Sequence, residues 1–166
     1  MKLLLLATAL ACISPSFACL EGKTSNPPAS RTHAASMAYC PPMAVSARQQ
    51  EAIFRDFVQV FYVEGSVNKT AAHFDVNYIQ HNANVLSGRQ AFIDVFSAGG
   101  GGNTTTTIVH MALKDNIAWV HYKSVTPGSP LTAVVDIFRF NGSCIMEHWD
   151  AIEELPANAT NPLALF

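Results

Sequence analysis

Seven side chains between positions 81 and 150 carry most of the chemistry this sequence can offer: His81, His110, His121, Asp136, Glu147, His148 and Asp150. Each stands in or beside an apolar run, where an unpaired charge is costly and persists only if it is paired, neutralised or useful. Asp136, His148 and Asp150 on one face would form an acid/base cluster in which each member shifts the others' proton affinity. Whether they share a face depends on strand register, because side chains alternate with period two.

Counting registers leaves part of the answer open. A two-residue turn at Asp115-Asn116 sets His110 opposite His121. Symmetric closure of Pro127-Gly128-Ser129-Pro130 then sets His121 opposite Asp136. A two-residue turn at Asn141-Gly142 places Asp136 opposite Glu147, whereas a bulged three-residue turn places it opposite His148, with Asp150 on the same side. His110 and His121 read as a hydrogen-bonded cross-strand pair rather than metal ligands, since zinc needs at least three protein ligands. Glu147 reads as a solvated strand residue, and Trp119 and Trp149 as core, interface or substrate-platform residues.

The elements that position these groups follow from periodicity. From Ser46 to Glu64 the residues Ile53, Phe54, Phe57, Val58, Val60, Phe61 and Val63 recur at three- and four-residue steps, which predicts a helix ended by Gly65. Ser66 caps a second short helix running to about Phe74, Asp75 to Gln80 reads as a strand, and Gly88 to Ala98 as a third helix. After Gly99 to Gly102 the pattern turns to β: 104–114, 117–125, 131–140 and 144–153, joined by short turns into consecutive hairpins. Helices followed by a meander predict an α+β layout, with the helices covering one face of a curved antiparallel sheet around a pocket.

Upstream of this domain, placed at 45–166, the chain carries other instructions. Lys2, the apolar run from Leu3 to Ile13 and the small residues flanking Phe17 mark residues 1–18 as a signal peptide, so the protein is expected to be secreted, with no membrane anchor after cleavage. Residues 19–44, rich in Ser, Pro and Ala, read as a flexible leader. Acceptor triplets for N-linked glycans occur at Asn68, Asn103, Asn141 and Asn158. Three cysteines remain after cleavage; Cys19 and Cys40 bracket the leader and are expected to pair, leaving Cys144 as a small core residue.

Composition and motif content remove other classes. The 166 residues make one domain, 49% hydrophobic and 13% charged, with a net charge of -2 and no basic run, so the footprint of a nucleic-acid binder is missing. No Gly-x-Ser-x-Gly, His-Glu-x-x-His or dinucleotide fingerprint occurs, and the glycine run lacks the Lys of a phosphate loop.

Three segments together are familiar. Tyr78-Ile79-Gln80-His81-Asn82 ahead of a Gly88-Arg89 helix start, then Asp136-Ile137-Phe138-Arg139, then Ile145-Met146-Glu147-His148-Trp149-Asp150, resemble the SnoaL-like branch of the nuclear transport factor 2-like superfamily over residues 46–155. The resemblance implies a cone-shaped α+β fold, usually dimeric, in which three helices and a bent sheet surround a hydrophobic pocket. It also implies chemistry without a cofactor or metal, such as aldol cyclisation, dehydration or isomerisation of a small apolar, polyketide-like carbonyl compound. By position, His81 matches the carboxylate base of ketosteroid isomerases and Asp136 their protonated oxyanion-hole aspartate, a case known for its raised proton affinity. His148 and Asp150 complete the implied catalytic set, and Tyr78, Gln80, Asn82, His121, Tyr122, Phe138 and Trp149 the implied substrate contacts. Where isomerases place an oxyanion-hole tyrosine on the first helix, this chain has Phe57 and Val58, which argues against a steroid isomerase. The mechanism expected is proton abstraction next to a carbonyl by His81 or Asp150, with His148 and a neutral Asp136 donating to the enolate. The competing reading is a secreted carrier or interaction protein that binds a small molecule in the same pocket without turning it over.

Overall fold

The structure, a computed structural model, describes residues 38–100, 102–161 and 163–166. The signal peptide and Cys19 lie outside the described residues. No helix among the described residues is long and apolar enough to cross a membrane.

The first helix, α1, runs Ala47–Val58 and continues as a π-helical turn over Gln59–Val63. Ser46 starts it through a capping box, in which its hydroxyl accepts from the Gln49 backbone N–H while the Gln49 side chain accepts from the Ser46 N–H. Its inward stripe, Phe54, Phe57 and Val58, enters the core as the three- and four-residue spacing requires. There follow α2 (Val67–Ala71), β1 (Phe74–Gln80), α3 (Arg89–Ser97), β2 (Thr105–Lys114), β3 (Ile117–Val125), β4 (Thr132–Asn141) and β5 (Cys144–Glu154). The five strands form one sheet in the order β1-β5-β4-β3-β2. The sheet is mixed rather than wholly antiparallel, because β1 pairs parallel with β5. Phe57, fully buried, lies at the centre of an aromatic core and packs edge-on against Phe138 at 4.8 Å and Phe74 at 5.7 Å.

Three registers decide which side chains meet. Asp115 and Asn116 both adopt positive φ, as a two-residue mirror-image turn demands, and His110 stands opposite His121 as expected. The next connection departs from the symmetric closure. Ser124 pairs with Thr132, so seven residues rather than four lie between the last paired positions, and Leu131 gives its carbonyl to the Leu155 N–H beyond β5. Val120, not His121, therefore faces Asp136. A one-residue shift sends His121 to the opposite side of the sheet from Asp136. In the last hairpin Asn141 pairs with Cys144, and the register then slips at Met146, so Phe138 faces His148 and Asp136 faces Asp150. This has the facing of the bulged alternative, with Asp136 meeting a partner two residues further on.

The cysteine expectation is overturned: Cys40 is bonded to Cys144, with Cα atoms 5.0 Å apart. The reason is tertiary. Residues 39–43, assigned above to the flexible leader, lie along the β4–β5 turn, where Ser143 donates its hydroxyl to the Tyr39 carbonyl (2.6 Å) and its N–H to the Met43 carbonyl (3.0 Å). Gly142, at φ +55°, admits this approach, because the Met43 carbonyl stands where a Cβ would be.

The same segment covers a buried imidazole. His73 is 1% exposed, stacks on Tyr39 at 4.2 Å, and sets Nδ1 3.1 Å from the Lys69 carbonyl. That carbonyl can only accept, so Nδ1 carries a proton. Nε2 lies 3.2 Å from an Asp56 carboxylate oxygen but makes no hydrogen bond at that alignment. Burial, outweighing the Lys69 carbonyl and Asp56, holds the His73 pKa below its ordinary value. The unfolded chain therefore takes up the proton first on acidification. The stabilisation is present above about pH 6.5 and is lost as pH falls through that value toward the folded pKa. The melting temperature should fall between pH 7 and 5, and His73→Gln should flatten the slope; equal slopes in the two proteins would refute the assignment.

Candidate active site

Between the inner sheet face and the π-turn and α3 lies a cavity of about 670 Å³. Asp136 and His148, 4% and 8% exposed, project into it from β4 and β5 beside the half-buried Asp150. Of the side chains expected from sequence, Tyr78, Gln80, Asn82, Tyr122 and Phe138 also line it.

Three others lie elsewhere. His81 follows the last residue of β1, and its ring turns outward, bonding Glu147 at 2.8 Å and stacking on Trp149 at 4.9 Å. Gln80 and Asn82 on either side of it face inward, so period-two alternation sends His81 out. His121 and Trp149 are likewise on the outer face, where His121 stacks against His110 (5.8 Å) and Phe166 (5.6 Å). Glu147 is not freely solvated: it also accepts from Arg139 at 2.7 Å, and these two partners, His81 first, hold its carboxyl below the usual range. The four acceptor asparagines, Asn68, Asn103, Asn141 and Asn158, are all exposed, although the triplets at 68 and 141 end in buried Thr70 and Ser143.

Sequence reasoning missed Tyr62. Its hydroxyl, carried on the π-turn that ends the first helix, donates to Asp136 Oδ2 at 2.5 Å. The π-turn delivers it: the Glu64 N–H reaches back five residues to the Gln59 carbonyl, and this wider turn changes the direction of the side chains it carries. A polar tip at position 62 within an apolar run was the available signal. Burial first, then the Asp136 charge, pushes the Tyr62 pKa far above its ordinary value, and the same two causes raise Tyr78 and Tyr122. All three stay neutral hydroxyls, which suits them to donate and not to serve as bases.

The hydrogen-bond network fixes a tautomer. Gln80 Oε1 accepts from the Asn82 backbone N–H at 3.0 Å, which identifies it as the oxygen, and the same atom lies 2.7 Å from His148 Nδ1. Nδ1 therefore carries a proton. Nε2 is left 3.3 Å from Asp136 Oδ1, within ion-pair reach yet without hydrogen-bond alignment. A proton placed between them joins the two; without it, two lone pairs face each other. Asp150, directly across from Asp136, is held through Oδ2 by the Asn82 amide. The arrangement can store and hand over a proton beside a set of neutral donors.

No family model and no curated protein matches the chain. Among solved structures it is similar to a proposed ketosteroid isomerase from Kribbella flavida, at 12% identity and TM-score 0.59, over 72% of this chain and 88% of that one. A protein of unknown function from Mesorhizobium loti is 15% identical with TM-score 0.57, covering 67% and 96%. A proposed polyketide cyclase from Acidithiobacillus ferrooxidans is 11% identical with TM-score 0.51, covering 67% and 92%. Three helices laid on a five-stranded mixed sheet, together with these likenesses, give the chain the nuclear transport factor 2-like fold.

Proposed function

We propose that the chain is an exported protein whose cavity takes up a small, largely apolar carbonyl compound of polyketide type and moves a proton next to the carbonyl. Carbon-carbon bond formation, loss of water or isomerisation then follows. The observation that supports this best is the convergence of Asp136, His148 and Asp150 in the cavity, with neutral Tyr62 bonded to Asp136. His81, which the resemblance offered as base, is on the wrong side of the sheet, so Asp150 takes that role. Tyr122 and the His148–Asp136 pair supply the donors that stabilise an enolate oxygen. The similar structures add a precedent at the level of fold, since one is a proposed polyketide cyclase and another a proposed ketosteroid isomerase. The signal at residues 1–18 supports export.

The test is direct. Cyclic and aromatic 1,3-diketones are incubated with the secreted protein in heavy water, and α-deuteration and new products are followed by NMR and mass spectrometry. The expected result is saturable exchange or product formation above the buffer rate. A compound that raises the melting temperature without exchange or product would overturn catalysis in favour of a carrier.

A further inference from the structure

The three cavity groups share a property that acid/base chemistry does not use. Each has one polar atom held from behind by a neighbour outside the trio: Asp136 Oδ2 by Tyr62, His148 Nδ1 by Gln80, and Asp150 Oδ2 by Asn82. Each is thereby left with one atom to offer: Oδ1, Nε2 and Oδ1. One donor atom from each residue can be chosen so that all lie within 4.8 Å of one another. His148 is 8% exposed, and its Nε2 is buried with no hydrogen-bond partner. An unpartnered buried nitrogen is costly in a folded protein, and an orphan 3.3 Å from one carboxylate oxygen, in a cluster with a second carboxylate, marks a place for a positive species.

We propose that Asp136, His148 and Asp150 bind a divalent first-row transition cation in the cavity. Two carboxylates balance its charge, and their mutual repulsion is relieved when it binds. One imidazole with two carboxylates favours zinc, iron or manganese over calcium and magnesium, which take oxygen ligands. Ligand atoms stand about 2.0–2.2 Å from such an ion, so the trio closes on it by small side-chain rotations. Gln80 is then a positioning residue: accepting from Nδ1, it fixes the tautomer that points a lone pair at the ion, as second neighbours of metal-bound histidines do. Three protein ligands leave coordination positions for a substrate oxygen. The cation takes the place of the proton between Asp136 and His148, a departure from the cofactor-free chemistry implied by the resemblance.

The experiment uses the full secreted chain stripped with chelator, titrated with zinc by calorimetry and with manganese by electron paramagnetic resonance at pH 7. One saturable site per chain is expected. Gln80→Ala should weaken it by about 10- to 100-fold, His148→Ala and Asp150→Asn should each abolish it, and His121→Ala should leave it unchanged. Circular dichroism on every variant separates loss of the site from loss of fold, and either of the two ligand variants suffices if the other is misfolded. Absence of a saturable site in the parent, binding that survives a folded ligand variant, or loss in His121→Ala would overturn the proposal. No carbonyl compound is present in these titrations, so their failure leaves the proposed reaction standing, and a failed turnover screen leaves the metal isotherm standing.

Discussion

Asp136→Asn is expected to cut turnover of a carbonyl substrate by about 10²- to 10⁴-fold, the usual contribution of a positioned acid/base group. That corresponds to about 3–5 kcal/mol of transition-state stabilisation. The amide has the shape of the carboxyl and keeps an oxygen for the Tyr62 hydroxyl, so the 2.5 Å contact and the strand around it survive. What is lost is the ability to hold a proton against His148 Nε2, 3.3 Å away, and to balance the charge of a protonated imidazole. Thermal unfolding should therefore move little while kcat/KM collapses. His81→Ala, by contrast, removes an outward ring that touches Glu147 and Trp149 and should leave turnover unchanged. The pair of variants is decisive: activity retained in Asp136→Asn, or lost in His81→Ala with Asp136→Asn active, would transfer the chemistry to another part of the molecule.

Removing the Cys40–Cys144 bridge as the double alanine variant is expected to destabilise the fold by about 4–5 kcal/mol. Closing a loop of this length, with a sequence separation of 104, is the source of that magnitude in the chain-entropy account. The bridge is also the covalent part of a larger seam, since Ser143 bonds both Tyr39 and Met43 next to it. Denaturant unfolding measures the effect through both midpoint and slope, the slope rising as the uncrosslinked unfolded chain exposes more surface, and the melting temperature should drop by on the order of 10–20 °C. Cys19→Ala should leave the midpoint unchanged, which separates the observed pairing from the Cys19–Cys40 pairing expected from sequence. A double variant within about 1 kcal/mol of the parent would show that the seam holds without its sulfur bond.

Much of the fold was legible because period is a local property. The helix over 46–64 and all four strands of the meander were readable to within one or two residues from apolar spacing alone. The His110–His121 register was readable too, since Asp115-Asn116 is a turn whose length the residue types set. The next register was not. Its connection is pinned from outside the hairpin, by Leu131 accepting from Leu155, and nothing between positions 125 and 131 announces that bond. The slip at Met146 is hidden for the same reason: a bulge is chosen by the packing of both faces, and counting sees one strand at a time.

The site follows the same division. Asp136, His148 and Asp150 were found because charges within apolar strands are conspicuous, and the structure brings all three into the cavity. His81 is suggested by analogy of position alone, whereas alternation argues against it once Gln80 and Asn82 face inward. Tyr62 was hidden by a helix that changes pitch, and Cys144 by a partner 104 positions away.

The bond between Cys40 and Cys144 also divides the chain mechanically. Tension applied to its two ends passes from one sulfur to the other and bypasses everything between them, from α1 through β4. Only the chain ahead of Cys40, β5 and the tail beyond it bear the load, and β5 carries His148 and Asp150. A pull strong enough to shear that strand from its neighbours would dismantle the cavity first, while the bypassed remainder stayed slack.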